Sequence, residues 1–177
     1  TFNHRGDLLV SVSWDGQTRF SNPWTGRVEI GLPRLSGRLM FSPDDRQCAT
    51  IFLPVGTGQA LLEIQESPVL ARIESSGQLR HAWSLGFSPD GRWLASAVGA
   101  GVGIRVFDTA GRRLVATLPE CEGRTVLFEP DGGGLLATSS NGIVRLPLTT
   151  AGLGTNLTIS FGPPQVIFPV RNVIAAS

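Results

Sequence analysis

Three aspartates, Asp44, Asp90 and Asp131, each follow a proline and recur at one place in successive stretches: SPDD at 42–45, SPDG at 88–91 and EPDG at 129–132. Recurrent carboxylates are the raw material of paired acid/base work, which glycosidases perform with two carboxylates about 5–10 Å apart. Here the recurrence argues the other way. Proline presets φ at the second position of a tight turn, aspartate accepts a following N–H, and glycine takes a positive φ. Each carboxylate therefore serves its own turn, and no catalytic residue is expected. His4 and His81 are the only imidazoles and fall in different stretches, away from Cys48 and Cys121. A zinc site needs three or four convergent ligands, so neither a metal nor a cofactor is expected. The run GAGVG at 99–103 could open a dinucleotide loop, but that loop needs a helix next to hold the pyrophosphate. The next residues, IRVFD at 104–108, are strand-like, so the run reads as a hairpin. A Walker phosphate loop is excluded because the chain has no lysine.

The elements that place these residues form a four-fold internal repeat. Its units begin near Phe2, Phe41, Phe87 and Phe128, at spacings of 39, 46 and 41 residues. A period near forty, with turn signals and several short apolar runs per unit, predicts an all-β chain of four consecutive four-stranded β-propeller blades. The units fall at about 1–36, 37–79, 80–122 and 123–165, with 166–177 expected to open a further blade. Propellers of this period usually carry more blades than four, so a partial ring, about half, completed by further blades of the same polypeptide, is expected.

The third unit shows the pattern best. Strand a is predicted at 82–87, apolar at the alternate positions Trp83, Leu85 and Phe87; strand b runs over 93–98, c over 103–108 and d over 114–118. Strands b, c and d are predicted at 8–13, 18–21 and 28–32 in the first unit, and at 48–53, 60–65 and 69–74 in the second. The fourth has b at 135–140 and c at 143–148; its d strand is displaced to within 157–161, and residues 151–165 read as a surface excursion.

Glycine is abundant at 22, charged residues are only 16%, and the net charge is +1. Such a chain has no field that would draw it to nucleic acid or an anionic membrane, and no apolar run long enough to span a bilayer. Cys48 falls in a predicted strand and Cys121 in a loop, so free thiols are expected. The expected compartment is cytoplasmic.

The residues SPDG, LAS, GIRVFD and TAG at 88–111 resemble a blade of the WD-repeat (WD40) family, with Phe107-Asp108 where Trp-Asp usually stands. Trp14-Asp15-Gly16 with Thr18-Arg19-Phe20 resembles the same family's segment between strands b and c. More loosely, the first unit is similar to WD-repeat regions linked to bacterial serine/threonine kinases. The Gly-His pair common before strand a is missing from every unit. The resemblance implies a non-catalytic protein-interaction or scaffolding module, able to serve as the sensor or docking region of a larger signalling chain, whose partner is a protein. In such propellers the d–a connections and b–c turns share one rim. Trp14, Arg34, Arg80, His81 and Arg124 would lie there and are the expected partner contacts, since Trp and Arg dominate interface hot spots. Trp24, in a c–d turn, is either packed on a neighbouring blade or a second anchor. The alternative is a propeller domain of a periplasmic translocation factor or peptidase-type enzyme, whose blades also carry SPDG-like turns.

Overall fold

A computed structural model describes residues 1–13, 17–32, 36–52, 61–66, 69–72, 82–98, 101–121, 123–152 and 157–169. Every regular element among them is a strand, and neighbouring strands pair antiparallel. The first sheet is β1 (Leu9–Val12), β2 (Thr18–Ser21) and β3 (Val28–Leu32), with Phe2 bridged to Leu9 where strand a belongs. The second is β4 (Ser36–Phe41), β5 (Gln47–Phe52), β6 (Leu61–Glu66) and β7 (Val69–Arg72). The third is β8 (Ala82–Phe87), β9 (Trp93–Val98), β10 (Gly103–Asp108) and β11 (Arg113–Leu118). The fourth is β12 (Val126–Phe128), β13 (Gly134–Ser139) and β14 (Gly142–Ala151), and both β15 (Thr158–Phe161) and β16 (Gln165–Pro169) pair with β14.

The sheets pack face to face in chain order, through β1 on β4, β4 on β8 and β8 on β12. This is the blade order of a β-propeller, in a partial ring of four. Val10, Phe20, Phe41 and Cys48 fill the first interface; Ala49, Leu85, Phe87, Leu94 and Phe107 are prominent in the second. In the third, Trp93, Ile104, Val106, Val126, Leu135 and Leu146 are all buried. Every residue of β9 is buried, as an apolar run covered on both faces requires.

The a–b turns repeat one geometry. In the third blade the Trp93 N–H donates to Ser88 Oγ (2.9 Å) and the Gly91 N–H to the Ser88 carbonyl (2.8 Å). Ser42 takes the same two bonds in the second blade, from Gln47 (2.9 Å) and Asp45 (2.9 Å). In the first, Asn3 Oδ1 replaces the hydroxyl and accepts from the Leu8 N–H (3.0 Å). The left-handed position is held by Gly6, Asp45, Gly91 and Gly132, at φ of 72°, 59°, 71° and 74°.

The fourth blade departs from the repeat after strand c. In the third blade Asp108 Oδ1 accepts from the Ala110 and Gly111 N–H groups (3.1 Å each), which turns the chain into β11. Pairing with strand b puts Pro147 at the position of Asp108, since Trp93 faces Asp108 and Gly134 faces Pro147. Proline offers no side-chain acceptor, and the threonines after it favour extension, so β14 runs on to Ala151. Its outer half pairs with β15 as a ribbon, Leu148 facing Phe161 and Ala151 facing Thr158. Its inner half pairs with β16, Ile143 facing Phe168 and Arg145 facing Gln165. Two expectations are corrected. The span 157–161 forms a strand, but β16 fills the d position, so residues 166–169 of the expected further blade pair within the fourth sheet, while 170–177 lie outside the described residues. Within 151–165, Ala151 and Thr158–Phe161 are ribbon strand and Gly162-Pro163-Pro164 lies between β15 and β16, while 153–156 fall outside the described residues.

Candidate functional site

Of the five expected contact residues, Trp14, Arg34, Arg80 and His81 lie outside the described residues. Arg124 is described and exposed, in the connection from β11 to β12. Its main chain is fixed: Thr138 Oγ1 accepts from the N–H groups of Arg124 (2.9 Å) and Thr125 (3.1 Å). Gly123 lies against the same strand, where a Cβ would fall 1.4 Å from the Thr138 carbonyl oxygen, so only glycine lets the connection come this close. The Arg124 guanidinium stacks over the indole of Trp83, 4.6 Å from the ring centroid. The pair spans two blades.

Trp83 stands in alternation with Leu85 and Phe87, which are buried, yet it is itself partly exposed. The register between β8 and β9 shifts between Ala82 and Ser84, and that irregularity leaves Trp83 38% exposed. Alternation in the sequence hides such a shift, because one irregular residue reverses the faces of its neighbours. Trp24 is 83% exposed, on a turn set by Asn22 Oδ1, which accepts from the Trp24 (3.0 Å) and Thr25 (3.1 Å) N–H groups. It does not pack into a neighbouring blade.

The recurrent aspartates are taken up by their turns. Asp44 Oδ1 accepts from Ser42 Oγ (2.7 Å) and the Arg46 N–H (3.1 Å). The Ser42 hydroxyl, aided by Arg46, holds its carboxyl below the ordinary aspartate range against the opposing effect of burial. Asp90 Oδ1 accepts from Ser88 Oγ and the Arg92 N–H (3.0 Å), and Asp131 Oδ1 from the Gly133 N–H (2.9 Å). Asp45, which sequence reasoning passes over, joins two blades. Its carboxylate accepts from the N–H groups of His4 (2.8 Å) and Arg5 (3.0 Å), with His4 Nδ1 at 2.9 Å. Burial alone would raise its pKa, but these bonds outweigh burial and lower it.

Asp108 is 2% exposed and binds Arg92 Nε (3.1 Å), with Arg113 Nε at 3.8 Å. In the fourth blade Glu129 stands in place of Ser88 and takes a bidentate pair from Arg145, both bonds 2.7 Å. Cys48 and Cys121 are free and buried, and burial pushes each thiol up to about 11, with the Glu120 charge adding to it at Cys121. Among the described residues no group of three His, Cys, Asp or Glu side chains is placed to hold a metal ion. No helix among them is long and apolar enough to cross a membrane.

Antiparallel blades packed on one another in chain order define a β-propeller. The profile of the family described as WD domain, G-beta repeat matches residues 74–101, a span that includes β8 and β9 of the third blade. Among solved structures, Kuenenia stuttgartiensis hydrazine synthase matches with a TM-score of 0.65 at 16% identity, over 82% of this chain and 57% of that one. The β-propeller domain of Myceliophteria thermophila Cps50 (Swd1) matches with a TM-score of 0.64 at 12% identity, over 82% of this chain and 51% of that one. The chain thus spans about half the length of the structures it resembles. No curated protein sequence matches it.

Proposed function

We propose that the chain is a non-catalytic protein-interaction module, and that its partner is held on the rim shared by the d–a connections and b–c turns. The observation that carries this reading is the Arg124–Trp83 stack at 4.6 Å on that rim. A large indole left 38% exposed at the end of a blade is costly unless something covers it. A guanidinium stacked on a ring keeps its in-plane N–H groups available and loses little freedom when it binds, which suits an interface anchor. Trp14, Arg34, Arg80 and His81 are the further contacts this reading names. The β-sheet scaffold contributes rigidity, so that few rotamers have to be ordered on binding.

The test compares wild-type chain with a Trp83→Ala/Arg124→Ala variant as immobilised bait for proteins of the source cell. The reading expects a partner retained by wild-type and lost from the variant, with both melting alike. Equal retention by the two, or loss only on Trp24→Ala, would move the contact surface off this rim.

A further inference from the structure

Arg92, Arg113 and Arg145, in the third and fourth blades, reach carboxylates at 3.1, 3.8 and 2.7 Å. Arg124 lies instead on the Trp83 ring, 4.6 Å from the centroid, and among the described residues no carboxylate pairs with it. We propose that this stack seats a carboxylate, so that the partner presents an acidic polypeptide segment to the rim. The proposal rests on the protein-interaction reading and names the chemistry of that partner.

Geometry, exposure and sequence position carry it together. The indole takes one face of the guanidinium, which leaves the N–H groups in its plane as a two-pronged donor, the shape that a carboxylate accepts through both oxygens. The stack stays open to water, with Trp83 half-buried and Arg124 exposed. Its base is rigid. Thr138 Oγ1 holds the Arg124 and Thr125 N–H groups, Gly123 is pressed against β13, and the Val126 N–H reaches Ser84 Oγ beside Trp83 (3.4 Å). A seat held in this way needs little ordering when the partner arrives. Glu120, in the same connection, is exposed and makes no ion pair with Arg124, and Glu122 lies outside the described residues.

The sequence repeats the arginine. Arg34, Arg80 and Arg124 stand two residues before β4, β8 and β12, and Arg171 two residues after β16 ends, at spacings of 46, 44 and 47 residues. Arg34, Arg80 and Arg171 lie outside the described residues, so the seat itself rests on Arg124 and Trp83. Single charges, one to a blade, suit a segment with carboxylates spaced along it. They suit a nucleic acid less, because a net charge of +1 supplies no field for its dense phosphates.

The probes are a capped hexapeptide of alternating glutamate and glycine, the same peptide with glutamine for glutamate, and hexathymidylate. The readout is the NMR shift of the Trp83 indole N–H in the full chain. The glutamate peptide should move that signal saturably, more weakly at high salt, and the glutamine peptide should not. Arg124→Gln should weaken binding by up to about fivefold, the scale of one exposed ion pair. Equal binding of the glutamine peptide, unchanged affinity in Arg124→Gln, or binding of hexathymidylate in preference to the glutamate peptide would overturn the proposal. If wild-type chain retains a partner that Trp83→Ala/Arg124→Ala loses, while the glutamate peptide leaves the indole unmoved, the carboxylate seat falls and the rim reading stands. Binding of the glutamate peptide through Arg124, with no protein retained by wild-type chain, would sink the rim reading alone.

Discussion

Replacing Gly142 by alanine tests which strand completes the fourth blade, and Gly132→Ala supplies the control. Both glycines have positive φ, 74° at Gly132 and 123° at Gly142. An alanine Cβ at Gly132 meets nothing within 4 Å, so its cost is the backbone term alone, about 1–2 kcal/mol. At Gly142 the Cβ would fall 1.9 Å from the Phe168 carbonyl oxygen and 2.9 Å from Pro169 Cα. Backbone cannot swing aside as a flexible side chain does, so β16 must move off β14. The register from Gly142–Pro169 to Arg145–Gln165 would then open. With each ladder bond worth about 1 kcal/mol net, the added loss reaches about 2 kcal/mol, for a total of about 3 kcal/mol or more. Gly103→Ala should behave alike, since its Cβ would fall 2.1 Å from the Leu118 carbonyl oxygen of β11, the matching d strand. Urea unfolding of the variants, with hydrogen exchange at the Ile143 and Phe168 amides, measures this. A Gly142→Ala variant no less stable than Gly132→Ala would refute the assignment of β16 as strand d.

The same geometry sets three further outcomes. Gly91→Val should lower stability by more than about 1 kcal/mol, read by urea unfolding, because a β-branched residue must take φ of 71°. Asp45 has a folded pKa below the ordinary aspartate value of 3.8, so its contribution is present above that value and is lost as pH falls through the folded one. The acid limb of a stability–pH curve should therefore be shallower in Asp45→Asn. The thiols of Cys48 and Cys121 shift from 9.0 to about 11, so the unfolded chain ionises first and stability should fall between those values. The loss is at most about 2–3 kcal/mol per thiol, and a Cys48→Ala/Cys121→Ala chain should show a flatter alkaline slope.

The sequence is most legible where structure is local. Strands β8, β9 and β10 begin and end where alternation and the Ser-Pro-Asp-Gly signal place them, because a turn is decided by the four residues that form it. The fourth blade is less legible, since its d strand comes after a β-ribbon and no local pattern says which strand β14 prefers. Two signals are present: Pro147 at the position of Asp108, which removes the turn acceptor, and Gly142 at the position of Gly103, which marks the close approach of strand d. Asp45 reads from the sequence as a turn residue. Its bond to the first blade joins residues 41 apart, and no periodicity reports such a contact. The candidate site is half legible. Arg124 is placed by its connection, but Trp83 alternates with the buried Leu85 and Phe87, and the register shift beside it leaves no mark in the sequence.

The central claim is that successive repeat units are blades packed on one another in chain order. Nuclear Overhauser contacts between blades test it most directly. The account predicts contacts between Gly91 and Pro43, where a Cβ on the glycine would lie 3.8 Å from the proline ring, and between Gly86 and Leu127, where it would lie 3.5 Å from Cα. It also predicts one between His4 and Asp45, whose side chains meet at 2.9 Å. Cross-strand contacts within each sheet without these three would show separate hairpin sheets and contradict the propeller.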